Sequence, residues 1–331
     1  MQVSASVLIL TAVAACCVAA SHALTAARWP RRSPAAAILL WQALGLGWGL
    51  AAVGALAGLG GAGRGGAGPG GTGPDGTGRR FGVVGAAFLQ AARFVRSATS
   101  SVSGAPGLLS VRLAALAAGL VLLLLLCWVL LAASAAVLRG RQRQRALLSL
   151  LAHGDPKVPG ALVVDYPAAA AYCLPGLRSA IVFSSGTLEL LDQAELAAVL
   201  AHERAHLRER HDLVLLPFTA LLRAFRWSAV AREAHRAVAL LVEMHADDRV
   251  LRHRSARELA TALLRVGAAG GGQAPAGALA ASGAGLESEV AARVTRLLKP
   301  APGLSAPALV LVGAAAALAV AIPVAVLALP F

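Results

Sequence analysis

Between Leu120 and Leu131 the chain reads LVLLLLLCWVLL, twelve residues without a charged or amide side chain. This stretch lies inside a longer uncharged run, 113–138. An α-helix of about 20 apolar residues crosses the roughly 30 Å hydrocarbon core of a bilayer. A soluble fold has little use for a helix that is apolar on every side. Three more runs of this kind occupy 3–24, 36–59 and 306–329, and none contains Asp, Glu, Lys or Arg. We read all four as membrane spans. Pro323 in the last is tolerated, because neighbouring helices can satisfy the freed backbone groups. The composition agrees. The chain is 58% hydrophobic and 14% charged, where a soluble domain carries about a quarter charged residues.

A cleaved signal peptide is the rival reading of the first run. MQVSAS carries no basic side chain, and signal peptides begin with a positive segment. Val13-Ala14-Ala15-Cys16 has the look of a lipoprotein cleavage box, which the same missing charge argues against. The net charge of +14 suits nucleic acid or an anionic membrane face. Arginines flank the apolar runs, so the expected partner is the lipid bilayer, with no direct nucleic-acid contact. The four cysteines form no CxxC pair, which excludes a disulfide framework and a zinc ribbon.

Arginine placement also orients the chain. Arg28, Arg31 and Arg32 follow the first run, and RGRQRQR follows the third. Cytoplasmic loops carry the excess of Lys and Arg. The expectation is a multi-pass cell-membrane protein whose 146–300 section faces the cytosol. The loop 60–112 then lies outside. It opens on a Gly-rich linker, and FGVVGAAFLQAARFVR within it can form an amphipathic helix or an ordinary packed one. In 146–300 charges return and apolar residues become periodic. A Gly- and Ala-rich loop, 267–285, interrupts it, and EVAARVTRLLKP closes it with a short helix. The expected fold class is predominantly α: a four-span helical membrane protein with an α+β domain between spans three and four.

That domain contains AHERAH, residues 201–206. The surrounding LLDQAELAAVLAHERAHLRERHD reads as a helix, with Asp192 and Glu195 in the pattern of a capping box. On a helix His202 and His206 stand one turn apart on one face. Two imidazoles so placed can grip one Zn²⁺ at about 2.0–2.1 Å. Glu203 is rotated by about 100° from His202, so it flanks the metal in the place of a general base for an activated water. At even residue frequencies HExxH arises by chance in roughly one chain in 25 of this length, so the third ligand decides.

Asp212 stands six residues beyond the second histidine, but that geometry needs Gly at 209, which is Glu here. His211 on a continuing helix points elsewhere. The remaining candidate is VEMHADD, on a second helix over about 228–252. Glu243 can complete a His₂Glu site with one Zn²⁺ per chain. Asp247, four residues on, shares its face and can hold a ligand histidine by its other ring nitrogen. His245 lies about 200° away and is expected toward solvent or behind the ligands.

HERAH followed by EMHAD resembles the gluzincin metallopeptidases. AYCLPGLRSAIVFSSGTLELLDQAELAAVLAHERAH resembles two membrane-bound branches of them, the BlaR/MecR-type regulatory peptidases and the HtpX-type quality-control peptidases. Three spans, a cytosolic zincin-like domain and a fourth span is similar to the BlaR/MecR layout. The resemblance implies His202, His206 and Glu243 as ligands, Glu203 as base and Asp247 behind the metal. It implies that IVFSS, 181–185, is an edge strand holding an extended substrate. It also implies a downstream Arg or His for the oxyanion, with Arg249, Arg252, His253, Arg257 and His235 as candidates. The antibiotic-sensing members carry a penicillin-binding domain after the last span. This sequence ends at Phe331 and has no Ser-x-x-Lys around Lys157 or Lys299, so direct β-lactam sensing is not expected.

The expected function is therefore a membrane-embedded zinc metalloendopeptidase whose substrate is a protein or peptide, foremost a cytosolic regulator such as a transcriptional repressor. The alternatives are HtpX-like quality control and a non-catalytic signalling scaffold. A scaffold has no need of Glu203. A transporter would want ionisable groups inside its spans, and only Arg112 stands near one.

Overall fold

The computed structural model describes residues 5–61, 106–176, 179–269 and 283–328. The proposed amphipathic helix within 81–96 and most of the loop 267–285 lie outside them. The chain divides into two compact units. One comprises the described residues within 1–23, 40–127 and 313–331, the other those within 24–39 and 128–312.

Among the described residues four helices are long and apolar enough to cross a membrane. They are α1 (Ala5–Ala26), α2 (Pro34–Gly61), α3 (Pro106–Leu151) and α10 (Ala306–Ala328). Within the first unit Leu10, Ala51, Ala55 and Val326 form a buried cluster. Glycine makes this approach close. A Cβ on Gly47 would run into the Ala319 carbonyl, and one on Gly58 would meet Val7. Between lipid-bathed helices van der Waals packing replaces the hydrophobic drive, and small residues let backbones approach. Val121 and Leu124 on α3 stay exposed, as lipid-facing side chains do.

The third helix outlasts its apolar run. RGRQRQR ends the uncharged stretch, but α3 continues unbroken through it to Leu151. The loss of hydropathy marks the end of the apolar stretch, not of the helix, because Arg and Gln are good helix formers.

The second unit holds the domain that contains AHERAH. Strands β1 (Ala152–Gly154), β2 (Leu162–Val164), β3 (Ala171–Leu174) and β4 (Ala180–Ser184) form one sheet in the order β1-β2-β4-β3. β2 and β4 are parallel and the other pairs antiparallel. The IVFSS strand is thus interior, hydrogen-bonded on both sides, and β3 is the edge instead. The reason lies in the pairing: Tyr172 stands opposite Val182 and Cys173 opposite Ile181, so AYCL covers the side of β4 that was expected to be free.

Five helices complete the domain: α5 (Gln193–Arg208), α6 (His211–Ala224), α7 (Ala229–Val250), α8 (Ala256–Ala268) and α9 (Gly283–Leu298). The short α4 (Ser185–Leu190) follows β4. Ser184 caps α4 by accepting from the Thr187 N–H. The apolar side of α5, including Leu196 and Leu200, packs with Val163, Ile181 and Phe183 of the sheet. A second cluster joins Ala198 of α5 to Val250, Leu259, Val294 and Leu297. The sheet and α7–α9 thereby hold α5 on two sides.

The loop after the first span belongs to this unit. Arg296 donates to the Arg31 carbonyl at 2.7 Å, and the Leu304 N–H donates to Ser33 Oγ at 3.1 Å. The lower part of α3 is fastened similarly. Arg141 pairs with Asp212 at 3.1 Å, and Arg145 donates to the Pro175 carbonyl at 3.2 Å.

Candidate metal centre

The expected capping box is present in full. Asp192 Oδ1 accepts from Ala194 and Glu195 N–H, and Glu195 Oε2 accepts from the Asp192 N–H. Removing such a cap costs about 0.5–2 kcal/mol, so α5 is well anchored at the end remote from HERAH. Its other end stops at Arg208, sooner than the sequence suggested. Arg210 takes the left-handed conformation, φ 51° and ψ 44°, and a new helix starts at His211. The second carrier, α7, begins on Ser228, whose hydroxyl accepts from the Ala231 N–H.

The two helices bring three donors together. His206 Nε2 lies 3.0 Å from His202 Nε2. Glu243 Oε2 lies 3.2 Å from His202 Nε2, and Glu243 Oε1 lies 3.5 Å from His206 Nε2. Ligand atoms about 3.3 Å apart are what tetrahedral zinc with bonds of about 2.0–2.1 Å requires. Two imidazole nitrogens and a carboxylate pointing at one spot repel through their lone pairs unless a cation or protons intervene. Both the spacing and the donor chemistry fit Zn²⁺. Among the described residues this is the one group of three or more His, Cys, Asp or Glu so gathered.

Asp247 sits behind the histidines, wholly buried. Its Oδ1 lies 3.1 Å from His202 Nδ1, close enough for the carboxylate charge to favour a hydrogen on that nitrogen. Glu203 is partly buried on α5. The Cys173 thiol of the edge strand β3 lies near it; burial, then the Glu203 charge, pushes that thiol up. β3 therefore runs beside the proposed base.

None of the five oxyanion candidates takes part in this group. Arg249 is bound to Glu209 at 2.7 Å. Arg252, His253 and Arg257 are exposed, and His235 is buried, 3.4 Å from Thr219. The cation at the site is Arg293 of α9. Its Nη2 and Nε hold the two oxygens of Asp247 at 2.7 and 2.9 Å, and its Nη1 reaches Glu243 Oε2 at 3.0 Å. It lies in the helix EVAARVTRLLKP, which carried no chemical signal of its own. A buried-face arginine, between Val290 and Val294 on the packing side, was the clue available.

The electrostatics follow from these contacts. Burial alone would raise the Asp247 carboxyl, but Arg293 overrides it and holds the group at about 2. Glu243 is likewise held well below its usual range, with His206 and Arg293 outweighing its burial. In the metal-free chain burial disfavours a charged His202, yet the Asp247 and Glu243 carboxylates raise it to about 9. Both carboxylates are thus held in their ionised form by the cationic side chains around them.

Two histidines one turn apart and a glutamate from a second helix, with an acid beside the first histidine, make a donor set that could hold one metal ion. In keeping with this, residues 111–264, just under half of the chain, match the model of Peptidase family M48. The match supports a zinc metallopeptidase. It ends before α9, so it does not include Arg293. No curated protein and no solved structure matches the chain.

Proposed function

We propose that the chain is a membrane-embedded zinc endopeptidase with His202, His206 and Glu243 as ligands and Glu203 as general base. The observation that carries the reading is the convergence within 3.0–3.5 Å of donor atoms from His202 and His206, on the helix that also bears Glu203, and from Glu243 on α7. Bound Zn²⁺ supplies a Lewis acid that polarises the scissile carbonyl and acidifies water. Glu203 takes the proton from water and passes it to the leaving amine. Asp247 keeps His202 in its ligating tautomer, and Arg293 holds Asp247 and Glu243 in place. The edge of β3 can bind an extended substrate by backbone hydrogen bonds, next to Glu203.

The proposed orientation puts this domain in the cytosol. The contacts of Arg31 and Ser33 with residues 296 and 304 support one common side for the first arginine-rich loop and the domain. Reporter fusions after Arg145 should read as cytosolic and those within 64–78 as external. A fusion after Arg145 that is active only outside the cell would reverse the orientation and the compartment of the substrate.

The proposed role is cleavage of a cytosolic regulator, such as a transcriptional repressor, at one place. A β3 edge of four residues accepts one short extended segment, which suits a cut in a flexible linker. The match to Peptidase family M48 speaks for the peptidase and for neither role. Comparison of new N-termini between wild type and Glu203→Gln cells tests the role. One or a few discrete cuts in soluble proteins, lost in the variant, are expected. Accumulation of misfolded membrane proteins without discrete cytosolic cuts would assign the chain to quality control.

A further inference from the structure

The left-handed residue Arg210 is the only non-glycine with positive φ among the described residues. That conformation costs a side-chain-bearing residue about 1–2 kcal/mol, so something must over-determine it. Its effect is to reverse the chain directly after α5 and bring His211 back against His206. The two Nδ1 atoms lie 3.1 Å apart, with ring centroids 4.8 Å apart at 85°. His211 is 3% exposed. The sequence reading, which assumed a continuous helix, pointed it elsewhere.

The tautomers follow from which nitrogen faces which partner. His206 Nε2 faces His202 and Glu243, so in a ligating His206 this nitrogen offers its lone pair and Nδ1 carries the hydrogen. The Nδ1–H then donates to His211 Nδ1, which must be an acceptor. His211 is therefore neutral, with its own hydrogen on Nε2. Its other neighbours do not compete for Nδ1. Asp212 is engaged by Arg141, and His245 meets the His211 ring at a centroid distance of 5.5 Å and lies 3.8 Å from Glu209.

We propose that His211 is a positioning residue that fixes the tautomer and aim of His206, as Asp247 does for His202. The centre is then braced by a carboxylate on one side and a neutral imidazole on the other. The proposal rests on His206 being a metal ligand, as put forward above.

The test uses the full chain purified in detergent. Zinc affinity is read by competition with a chromophoric chelator, and ligand geometry by the visible spectrum of the Co²⁺-loaded protein. His211→Ala should weaken zinc binding by about 10–100-fold and alter the Co²⁺ bands, as losses behind a ligand do. An Asn side chain places its amide oxygen near the Nδ1 position, and a Gln side chain places it near Nε2. His211→Asn should therefore restore affinity to within a few-fold of wild type, while His211→Gln should behave like the alanine variant. The Asn–Gln comparison stands even if His211→Ala does not fold. Unchanged affinity and spectrum in His211→Ala, or equal rescue by Asn and Gln, would overturn the proposal. A wild-type chain that binds neither Zn²⁺ nor Co²⁺ would instead overturn the metal centre itself.

Discussion

Glu203→Gln is expected to retain about one Zn²⁺ per chain and to lose peptide hydrolysis by about 10²–10⁴-fold. The substitution keeps the shape of the side chain and removes its ability to accept a proton. The three converging donors belong to other residues, so metal content should not change. His202→Ala, His206→Ala and Glu243→Ala should do the opposite: each deletes a donor and should lose most of the metal and the activity together. Asp247→Ala should fall between, weakening metal binding by roughly 10–100-fold while leaving all three donors in place. Metal analysis of the purified variants, set beside hydrolysis of an unstructured protein substrate, separates these outcomes. Full zinc in Glu243→Ala would sink the third ligand, and an active Glu203→Gln would sink the base.

Arg293→Ala is expected to destabilise the domain by about 3–5 kcal/mol, the usual cost of deleting one partner of a buried ion pair. Asp247 is 0% exposed and Arg293 8%, so the guanidinium is the countercharge that lets a carboxylate stay ionised there. Arg293→Lys should recover only part of the loss, because an ammonium cannot reproduce the two-pronged contact. The pH dependence has a definite sign. Against burial, Arg293 holds Asp247 at about 2, below its ordinary 3.8. A depressed carboxylate contributes stability that is present above the unfolded value and lost as pH falls through the folded one. Thermal unfolding of the metal-free protein should thus show a stability loss between about pH 4 and pH 2, and that step should shrink in Arg293→Ala. Unchanged unfolding of Arg293→Ala at neutral pH would show that the guanidinium does not carry this role.

Both predictions concern one centre, yet its two halves differed in how far the sequence revealed them. Glu203 and its neighbours could be placed from spacing alone. A helix repeats every 3.6 residues, so His202 with His206, and Glu243 with Asp247, share a face wherever the helix goes. The caps at Asp192 and Ser228 are equally local, being satisfied within three residues. The four apolar helices were legible for a similar reason: 20 uncharged residues have few other places to go.

Arg293 was not legible, because it stands 46 residues from Asp247, on a helix whose own pattern says only that one side packs. Which side chains meet across that gap depends on how α7 and α9 pack, and packing leaves no periodic trace. The strand order had the same difficulty. IVFSS reads as a strand, but whether it is central or at the edge depends on AYCL pairing back onto it from the preceding segment. The reversal at Arg210 was hidden more deeply still. Arginine is an ordinary helix former, and nothing in RERHD announces a left-handed residue. By itself, then, the sequence determined the four apolar helices, the two helices that carry His202, His206 and Glu243, and these three as candidate donors, all properties of neighbours along the chain. Only the tertiary structure decided the countercharge Arg293, the edge strand β3 and the contact of His211 with His206. Each of these joins groups whose meeting is set by side-chain packing or by one backbone torsion.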